Sequence, residues 1–285
     1  MPLKKLTILG PGLLGGSIGL AARARKLAGH VVMWARRPEA CDEAMKLGAA
    51  DAATLKVADA VSDADFVVLA TPIGVMGDLT AKMAPFLKPQ AVVTDVGSVK
   101  YPVVIQLSHL LEGKARFIGS HPMAGSEQAG ISAASKELFE GRVCILTPVE
   151  QTDADALQQT ANFWKSLGAV VRTLPPLEHD EIVAQVSHLP HLVAAALMNH
   201  ICTNGPRPLE FAGAGLRDTT RIASGLPAMW QELCVTNRDE VCRALEGLIE
   251  QLEAVRAMLH NKEDANLTAF LKRAKHFRDE MNFRK

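Results

Sequence analysis

The sequence has no excess of either charge, no paired-cysteine motif and no low-complexity tract. Its 285 residues carry 31 basic and 31 acidic side chains, so no overall field attracts nucleic acid or an anionic membrane. The five cysteines are odd in number and scattered, which is typical of packing residues in a reducing compartment. We find no leader pattern in MPLKKLTILG and no apolar run long enough to cross a bilayer. We therefore expect a cytoplasmic, soluble protein that binds neither nucleic acid nor a membrane.

The chain divides into an alternating part and a helical part. Up to about residue 174, short β-branched runs alternate with helical stretches: LTILG, VVMWA, DFVVLA, AVVTDV, ARFIGS, RVCILTP and AVVRTL. This alternation predicts a parallel-rich sheet with helices on both faces. Gly29 and Gly48 each follow a helical stretch, where a left-handed C-terminal cap is expected. After LPPLEHDE the strand runs stop, so we predict an α/β domain over 1–174 and an all-α domain over 175–285.

The all-α part is expected to associate with another helix. HDEIVAQVSHLPHLVAAALMNHICTN is predicted to form one long helix, bent where Pro190 lacks an amide donor. Further on, six apolar residues recur at spacings of four and three and form a narrow seam: Val241, Leu245, Leu248, Leu252, Val255 and Leu259. The seam packs either on a helix of the same chain or on the same helix of a second subunit. We favour a homodimer through the helical domain.

A glycine-rich turn directly after the first strand predicts dinucleotide binding. In GPGLLGGSIG, Gly10 permits a tight turn, Gly12 allows backbone to approach a pyrophosphate, and Gly15 allows close packing of helix and strand. Leu13 and Leu14 begin the helix, whose free amides favour phosphate. The alternative is a purely structural glycine turn. Because the turn has a strand before it and a helix after it, we predict a Rossmann dinucleotide-binding domain.

The end of the second strand distinguishes the two nicotinamide cofactors. An NAD site usually has Asp or Glu there to bind the ribose 2′-hydroxyl, but this chain has Ala35 followed by Arg36 and Arg37. Guanidinium groups suit a 2′-phosphate. The alternative is an exposed basic turn at a helix start. We predict NADP as the preferred cofactor, with NAD possible.

Three further loops leave the carboxyl ends of strands, where ligands of open parallel sheets bind. ATPIG contributes Thr71 and Pro72, and DVGSVK contributes Gly97, all three expected at the cofactor. Ser98 is expected to donate to cofactor or substrate, or alternatively to cap the next helix. The third loop, GSHPMAGSEQ, contains His121.

His121 is a candidate general base. A neutral imidazole at this edge can accept a proton from an alcohol while a hydride leaves the same carbon. The alternative is a hydrogen-bonded structural histidine. Ser126 and Glu127, on the same stretch, are expected at the substrate, although Glu127 can also orient a partner or cap a turn.

The all-α part supplies further substrate candidates. His188 and His191 are three residues apart beside Pro190, and no H-E-x-x-H motif or cysteine cluster accompanies them, so we expect substrate contact and no metal. Arg217 and Arg221 are four residues apart and can clamp a carboxylate. The alternative for the arginines is a surface salt-bridge network.

Five motifs in this order resemble the prephenate and arogenate dehydrogenases of tyrosine biosynthesis: GPGLLGGSIG, DVGSVK, GSHPMAGSE, SHLPH and RDTTRIASGLPAMW. The match extends over nearly the whole chain. The resemblance implies a Rossmann domain, an all-helical domain that builds an intertwined homodimer, and an active site in the cleft between them. It implies oxidative decarboxylation of a cyclohexadienyl substrate with hydride transfer to NADP or NAD.

The resemblance also implies roles for single residues. His121 is similar to the catalytic base on the ring hydroxyl, and Ser98 to the neighbour that positions hydroxyl and nicotinamide. Arg221 is similar to the residue that binds a substrate carboxylate, with His191 and His188 lining the same pocket.

Other matched positions lie away from the reacting groups, and some residues differ from those that many family members have. Trp230 matches a position near the subunit contact, and Glu127 an acidic group at the pocket mouth. Arg217 stands where similar enzymes often have lysine. Ala35 with Arg36 resembles the NADP-using members.

Two other functions remain possible on the sequence alone. One is a different Rossmann-plus-helical reductase, acting on a hydroxyacid or an imine. The other is a catalytically silent dimer that senses NADP. No residue distinguishes arogenate from prephenate.

Overall fold

The sheet is built around the first strand of the chain. The computed structural model describes residues 3–125 and 130–281. Within these residues, eight strands form one sheet in the order β3-β2-β1-β4-β5-β6-β7-β8, and every neighbouring pair is parallel except β6 with β7. The strands are β1 Leu3–Leu9, β2 Ala28–Trp34, β3 Ala52–Thr54, β4 Phe66–Leu69, β5 Val92–Asp95, β6 Arg116–Pro122, β7 Val143–Thr147 and β8 Val170–Thr173.

Alternation of side chains along the central strands produces two cores, one on each face of the sheet. Leu6 and Ile8 pack into one core and Leu9 into the other. Phe66 and Val67 separate in the same way. The seven predicted strand runs all form strands. The three-residue β3 was not predicted, because a short run of alanine and threonine carries no strand pattern.

The helices cover both faces of the sheet and then continue without further strands. They are α1 Leu13–Ala24, α2 Pro38–Leu47, α3 Val57–Val61, α4 Ile73–Met83, α5 Tyr101–Leu111, α6 Ala154–Ser166, α7 Pro176–Val183, α8 Leu189–Ile201, α9 Ala214–Thr220, α10 Pro227–Thr236, α11 Arg238–His260 and α12 Asp264–Glu280. The predicted fold class, a domain with a parallel-rich sheet followed by helices, is confirmed.

The two predicted glycine caps differ in outcome. Gly48 ends α2 in the left-handed conformation, with φ of +76°, as expected. The prediction for Gly29 is wrong, because α1 ends at Ala24 and Gly29 lies inside β2. Lys26, with φ of +54°, makes the left-handed turn between them.

The predicted long helix is interrupted before its proline. A π-helical segment, Ala184–His188, joins α7 to α8, and Pro190 lies in the first turn of α8. Proline has no N–H to give to the carbonyl four residues earlier, so the wider turn lies where the α-helical hydrogen bond is missing.

One stretch corrects the expectation about apolar runs. Pro176–Ile201 is 26 residues long and apolar enough by composition to span a bilayer. Its polar residues His179, Asp180 and His188 are buried within the folded chain. Only 28% of its most apolar window is buried, so we interpret it as a helix that packs on the fold along one face.

The described chain forms two compact units, one up to Arg238 and one from Asp239. The first contains the sheet together with α7–α10, so the predicted division into 1–174 and 175–285 stays a prediction. The second contains most of α11 and α12. In it, large apolar side chains are more than half exposed: Ile249, Leu252, Leu259, Leu271 and Phe277.

Candidate active site

The turn after β1 has the geometry of a phosphate-binding turn. Gly10 has a φ of +116°, and a Cβ there would lie 2.6 Å from the carbonyl oxygen of Ala70. A Cβ on Gly15 would lie 1.9 Å from the carbonyl oxygen of Gly10, so α1 can pack on the turn only without that side chain. Gly12 directly precedes α1, and a Cβ there would meet nothing within 4 Å. The open space at this helix N-terminus suits a pyrophosphate.

A cavity of about 650 Å³ opens beside this turn. It brings together many of the residues predicted for the cofactor: Gly10, Gly12, Ala35, Arg36, Arg37, Thr71 and Pro72. Leu13, Leu14, Gly15 and Gly97 do not line it. Leu13 and Leu14 form the start of α1, so they contribute to the shape of the turn.

Basic side chains gather where β2 ends. Ala35 is buried at the position where an NAD site usually has an acid. Arg36 and Arg37 are exposed, and neither side chain forms a hydrogen bond or ion pair with another described residue. Lys82, in the last turn of α4, also lines the cavity, as does Asp78. Lys82 was not predicted from the sequence, because only the fold brings α4 to the cavity that Arg36 and Arg37 line.

A buried ion pair shapes the DVGSVK loop. Asp95 ends β5, and its carboxylate bonds the ammonium of Lys100, with both side chains fully buried. The other Asp95 oxygen accepts the Ser120 amide at 3.1 Å, and Lys100 donates to the Ser120 carbonyl at 3.0 Å. These bonds fix the end of β5 against β6. A fully buried lysine was not anticipated from the sequence.

Ser98 lies half-buried on this loop and does not cap the following helix. The amides of Lys100 and Tyr101, at the start of α5, are instead accepted by the carboxylate of Asp180 at 2.7 and 2.8 Å. The helix-cap alternative for Ser98 is therefore not what the structure has. Its role as a donor to cofactor or substrate stays a prediction.

The expectation that His121 lies on the loop after the strand is wrong, because β6 extends to Pro122 and His121 lies on it, opposite Ile145 of β7. The residue is only 7% exposed, and its Nδ1 lies 2.8 Å from Nε2 of His179. Burial, followed by the charges of His179, Lys100 and His188, lowers the pKa of His121 well below its usual value. The ring is therefore neutral at pH 7, and Nε2 has no hydrogen bond to a described residue.

Two adjacent residues of α7 continue the contact away from His121. Nδ1 of His179 lies 2.7 Å from Oδ1 of Asp180, and both residues are buried. Burial lowers the pKa of His179, while the Asp180 carboxylate raises it. In the sequence, LPPLEHDE marks the predicted domain boundary and HDE begins the predicted long helix, and neither pattern predicts a contact from His179 to His121. The adjacent His and Asp were the available signal, but their partners lie far away in sequence.

His188 and His191 meet around Trp230 of α10. The Asn237 amide donates to the Asp180 carbonyl at 2.9 Å and lies 3.3 Å from Nδ1 of His188. Burial lowers the pKa of His188 to about 4. The His191 ring stacks on Trp230 with centroids 3.6 Å apart. Asn237 therefore connects His188 to Asp180, and Trp230 contacts both His188 and His191.

Two buried ring nitrogens remain without partners among the described residues. They are Nε2 of His188 and Nδ1 of His191. Buried polar atoms are normally hydrogen-bonded, so these two unpartnered nitrogens point to a polar ligand.

For the remaining predicted substrate residues that lie within the described chain, the structure shows no hydrogen bond or ion pair with His121. Arg217 lies within α9, which ends at Thr220, and Arg221 begins a short 3-10 helix, Arg221–Ser224, so one regular helical face does not carry both. Both side chains are exposed. Ser126 and Glu127 lie outside the described residues. Within residues 3–125 and 130–281, no group of three His, Cys, Asp or Glu side chains is placed to hold a metal.

Comparison with known proteins identifies the family. The nucleotide-binding domain of prephenate dehydrogenase matches residues 18–173, and the dimerization domain of prephenate dehydrogenase matches 175–273. Prephenate dehydrogenase from Bacillus subtilis is 34% identical over 98% of this chain and 76% of its own length. The crystal structure of prephenate dehydrogenase from Aquifex aeolicus in complex with hydroxyphenyl propionate and NAD+ has a TM-score of 0.93 at 32% identity, covering 99% of each chain.

A relative with a different substrate in its name is also similar. The crystal structure of Synechocystis arogenate dehydrogenase has a TM-score of 0.85 at 30% identity, covering 97% of this chain and 99% of that one. The resemblance drawn from the five motifs is thus confirmed. From both family models and these relatives, the chain belongs to the prephenate dehydrogenase family.

Proposed function

We propose that this protein oxidatively decarboxylates a cyclohexadienyl substrate, arogenate or prephenate, and passes the hydride to NADP. The observation that carries the proposal is the His121 imidazole, buried, neutral and with a ring nitrogen left for a ligand, in the same sheet domain as a dinucleotide-binding turn. Members of this family named for prephenate and for arogenate are both similar to this chain.

The chain's own residues orient the substrate and move one proton. Nε2 of His121 accepts the proton of the ring hydroxyl as the hydroxyl carbon is oxidised. Arg221, with Arg217, is proposed to hold a substrate carboxylate. Nε2–H of His188, neutral because of its lowered pKa, donates to a substrate oxygen. When bound, the nicotinamide supplies the hydride acceptor, and loss of the ring carboxylate as carbon dioxide leaves an aromatic ring.

NADP is proposed over NAD on the charges at the cavity. Arg36 and Arg37 have no partner among the described residues, and Lys82 lies on the same cavity. A 2′-phosphate provides acceptors for these donors, whereas a 2′-hydroxyl does not need them. The Aquifex aeolicus structure contains NAD+, so NAD is retained as a second cofactor.

The assembly is proposed to be a cytoplasmic homodimer formed through the helical region. The exposed apolar side chains of α11 and α12 support it, because patches of this kind usually mark an interface. The match to a dimerization domain over residues 175–273 supports it as well.

One assay tests the activity. Purified protein is mixed with prephenate or arogenate and with NADP or NAD, and reduced nicotinamide is followed by absorbance. Turnover with at least one pairing is expected, fastest with NADP. Nucleotide binding without turnover in any pairing would overturn the proposal and favour an NADP-sensing dimer. Turnover only with hydroxyacids or imines would favour a different reductase.

A further inference from the structure

His179 and Asp180 form a hydrogen-bonded row behind the candidate base. The row runs from the Asp180 carboxylate to Nδ1 of His179, and from Nε2 of His179 to Nδ1 of His121, over 2.7 and 2.8 Å. We propose that His179 and Asp180 are positioning residues that fix the tautomer of His121, so that Nε2 is bare and serves as the base. This inference rests on the proposed function and extends it to two residues that the motifs did not identify.

The direction of the hydrogen bonds follows from the far end of the row. Both oxygens of Asp180 accept backbone amides, from Lys100 and Tyr101, and an amide can only donate. Asp180 is thereby fixed as an acceptor, so Nδ1 of His179 carries the hydrogen of their shared bond. A neutral imidazole has one N–H, and Nε2 of His179 is then an acceptor.

The same logic passes to the next ring. Since Nε2 of His179 accepts, Nδ1 of His121 donates, and the lone pair of the neutral His121 ring is on Nε2. Nε2 is the nitrogen without a partner among the described residues. The opposite tautomer would place two lone pairs against each other at 2.8 Å.

The charged and titratable groups around the row keep both rings neutral before reaction. Lys100, at the start of α5, and His188, in the π-helical segment, lower the pKa of His121 together with burial and His179. For His179, burial outweighs Asp180 and Asp95, which raise its pKa.

The row also stabilises the product of proton transfer. When Nε2 of His121 accepts the hydroxyl proton, Nδ1–H still donates to His179, whose own N–H donates to a carboxylate. The new positive charge therefore has a hydrogen-bonded path to a negative group in a buried setting, where such bonds are strong. A purely structural role for Asp180, as the cap of α5, does not explain why His179 lies between Asp180 and His121.

Nitrogen NMR on the wild-type protein tests the tautomer directly. Protein labelled with ¹⁵N at histidine is measured at neutral pH with bound nucleotide. We expect the His121 resonances, assigned through loss in His121→Asn, to show a protonated Nδ1 and a bare Nε2. A protonated Nε2 would overturn the inference. This readout needs no turnover, so it is separate from any failure of the proposed activity.

A matched pair of amide variants tests the positioning in catalysis. In His179→Gln the amide oxygen reaches the place of Nε2 and still accepts from His121, whereas in His179→Asn the shorter side chain keeps only the bond to Asp180. We expect kcat to fall by about 100-fold in His179→Asn and to stay within about tenfold of wild type in His179→Gln. KM and nucleotide affinity should change by no more than about threefold in both.

The comparison between the two variants decides the outcome. Equal kcat values in the asparagine and glutamine variants, with nucleotide binding retained, would show that the contact to His121 has no positioning role. A loss confined to KM would likewise overturn it. Should either variant fail to fold, the NMR tautomer of the wild-type ring remains the test.

Discussion

At the scale of single residues, His179 contributes both to the protonation state of His121 and to the orientation of its ring. Burial is the main cause that lowers the pKa of the ring, with His179, Lys100 and His188 adding to it, and this keeps the ring neutral at pH 7. The bond to His179 leaves Nε2 without a partner. A general base at pH 7 has to be both unprotonated and correctly oriented, and the proposed role of His121 depends on both conditions.

Replacing the base should remove the rate and spare the cofactor site. In His121→Asn we expect kcat to fall about 100-fold or more, because a general base is lost, with nucleotide affinity unchanged. Stopped-flow or steady-state absorbance measures the rate, and fluorescence titration the affinity. His109→Asn is the control, since that side chain is 84% exposed on α5. Near-normal turnover in His121→Asn would remove His121 from the mechanism.

The arginines at the cavity should discriminate between the two cofactors. Arg36→Ala is expected to raise the Kd for NADP by about tenfold and to leave that for NAD within about twofold, since a charged hydrogen bond to phosphate is lost. Isothermal titration with each nucleotide measures this. Arg172→Ala, an exposed arginine on β8 that does not line the cavity, serves as the matched control. Equal weakening of both nucleotides would contradict the 2′-phosphate argument.

The buried His188 should make stability depend on pH. Its pKa is about 4 in the folded protein and about 6.5 when unfolded. Between these values the unfolded chain binds a proton that the folded chain does not, so stability is full above pH 6.5 and is lost as pH falls toward 4. We expect Tm to drop by about 5 °C between pH 7.5 and 5.

A variant separates His188 from the other buried histidines. In His188→Asn the side-chain oxygen can still accept from Asn237, but the titrating group is gone. Differential scanning fluorimetry should give a smaller drop in Tm with pH for this variant than for the wild type. Parallel curves would show that His188 does not contribute to the dependence.

At the scale of secondary structure, elements are joined by side chains that come from other elements. The N-cap of α4 is Pro72, whose side chain makes no capping bond, and its first turn has no acidic residue. Glu232, on α10, supplies the charge instead and accepts the Gly74 amide at 2.5 Å. A carboxylate is stabilised at a helix N-terminus, so this contact fastens α10 to the nucleotide-binding sheet domain.

Neutralising this carboxylate should weaken the attachment. Glu232→Gln is expected to lower the free energy of unfolding by about 1 kcal/mol, because the charge at the helix N-terminus is lost. Urea unfolding followed by circular dichroism measures the change. Glu150→Gln, at an exposed glutamate in a turn, should leave stability within about 0.5 kcal/mol. No difference between the two variants would show that the contact contributes nothing.

At the scale of the whole molecule, local motifs were predictable and distant contacts were not. The strands, the glycine turn and the candidate His121 were identified from patterns of residues that are close together in the sequence. The partner of His121 is 58 residues away, and nothing local to His179 predicts that meeting. Lys100 was missed for a related reason, since a buried lysine is tolerable only with the partner that the fold supplies.

The exposed apolar side chains predict how the molecule assembles. Leu252 is 60% exposed on α11, and we expect a second subunit to cover it. Leu252→Asp should raise the dimer Kd about 100-fold, because a charge would be buried without a partner. Sedimentation velocity over a concentration series measures this. Glu250→Asp is the control, since it also introduces an aspartate at an exposed position of α11 but removes no apolar side chain. It should sediment like the wild type. A wild-type protein that sediments as a monomer would contradict the proposed assembly.

The placement of His121 within a strand has a kinetic consequence. Its backbone is paired to β7, so the ring has no flexible segment of its own with which to swing toward a ligand. In the proposed mechanism, the reactants therefore have to reach a proton acceptor whose backbone is held in the sheet. We expect the turnover rate to be limited by substrate binding or product release more than by any movement of the His121 ring.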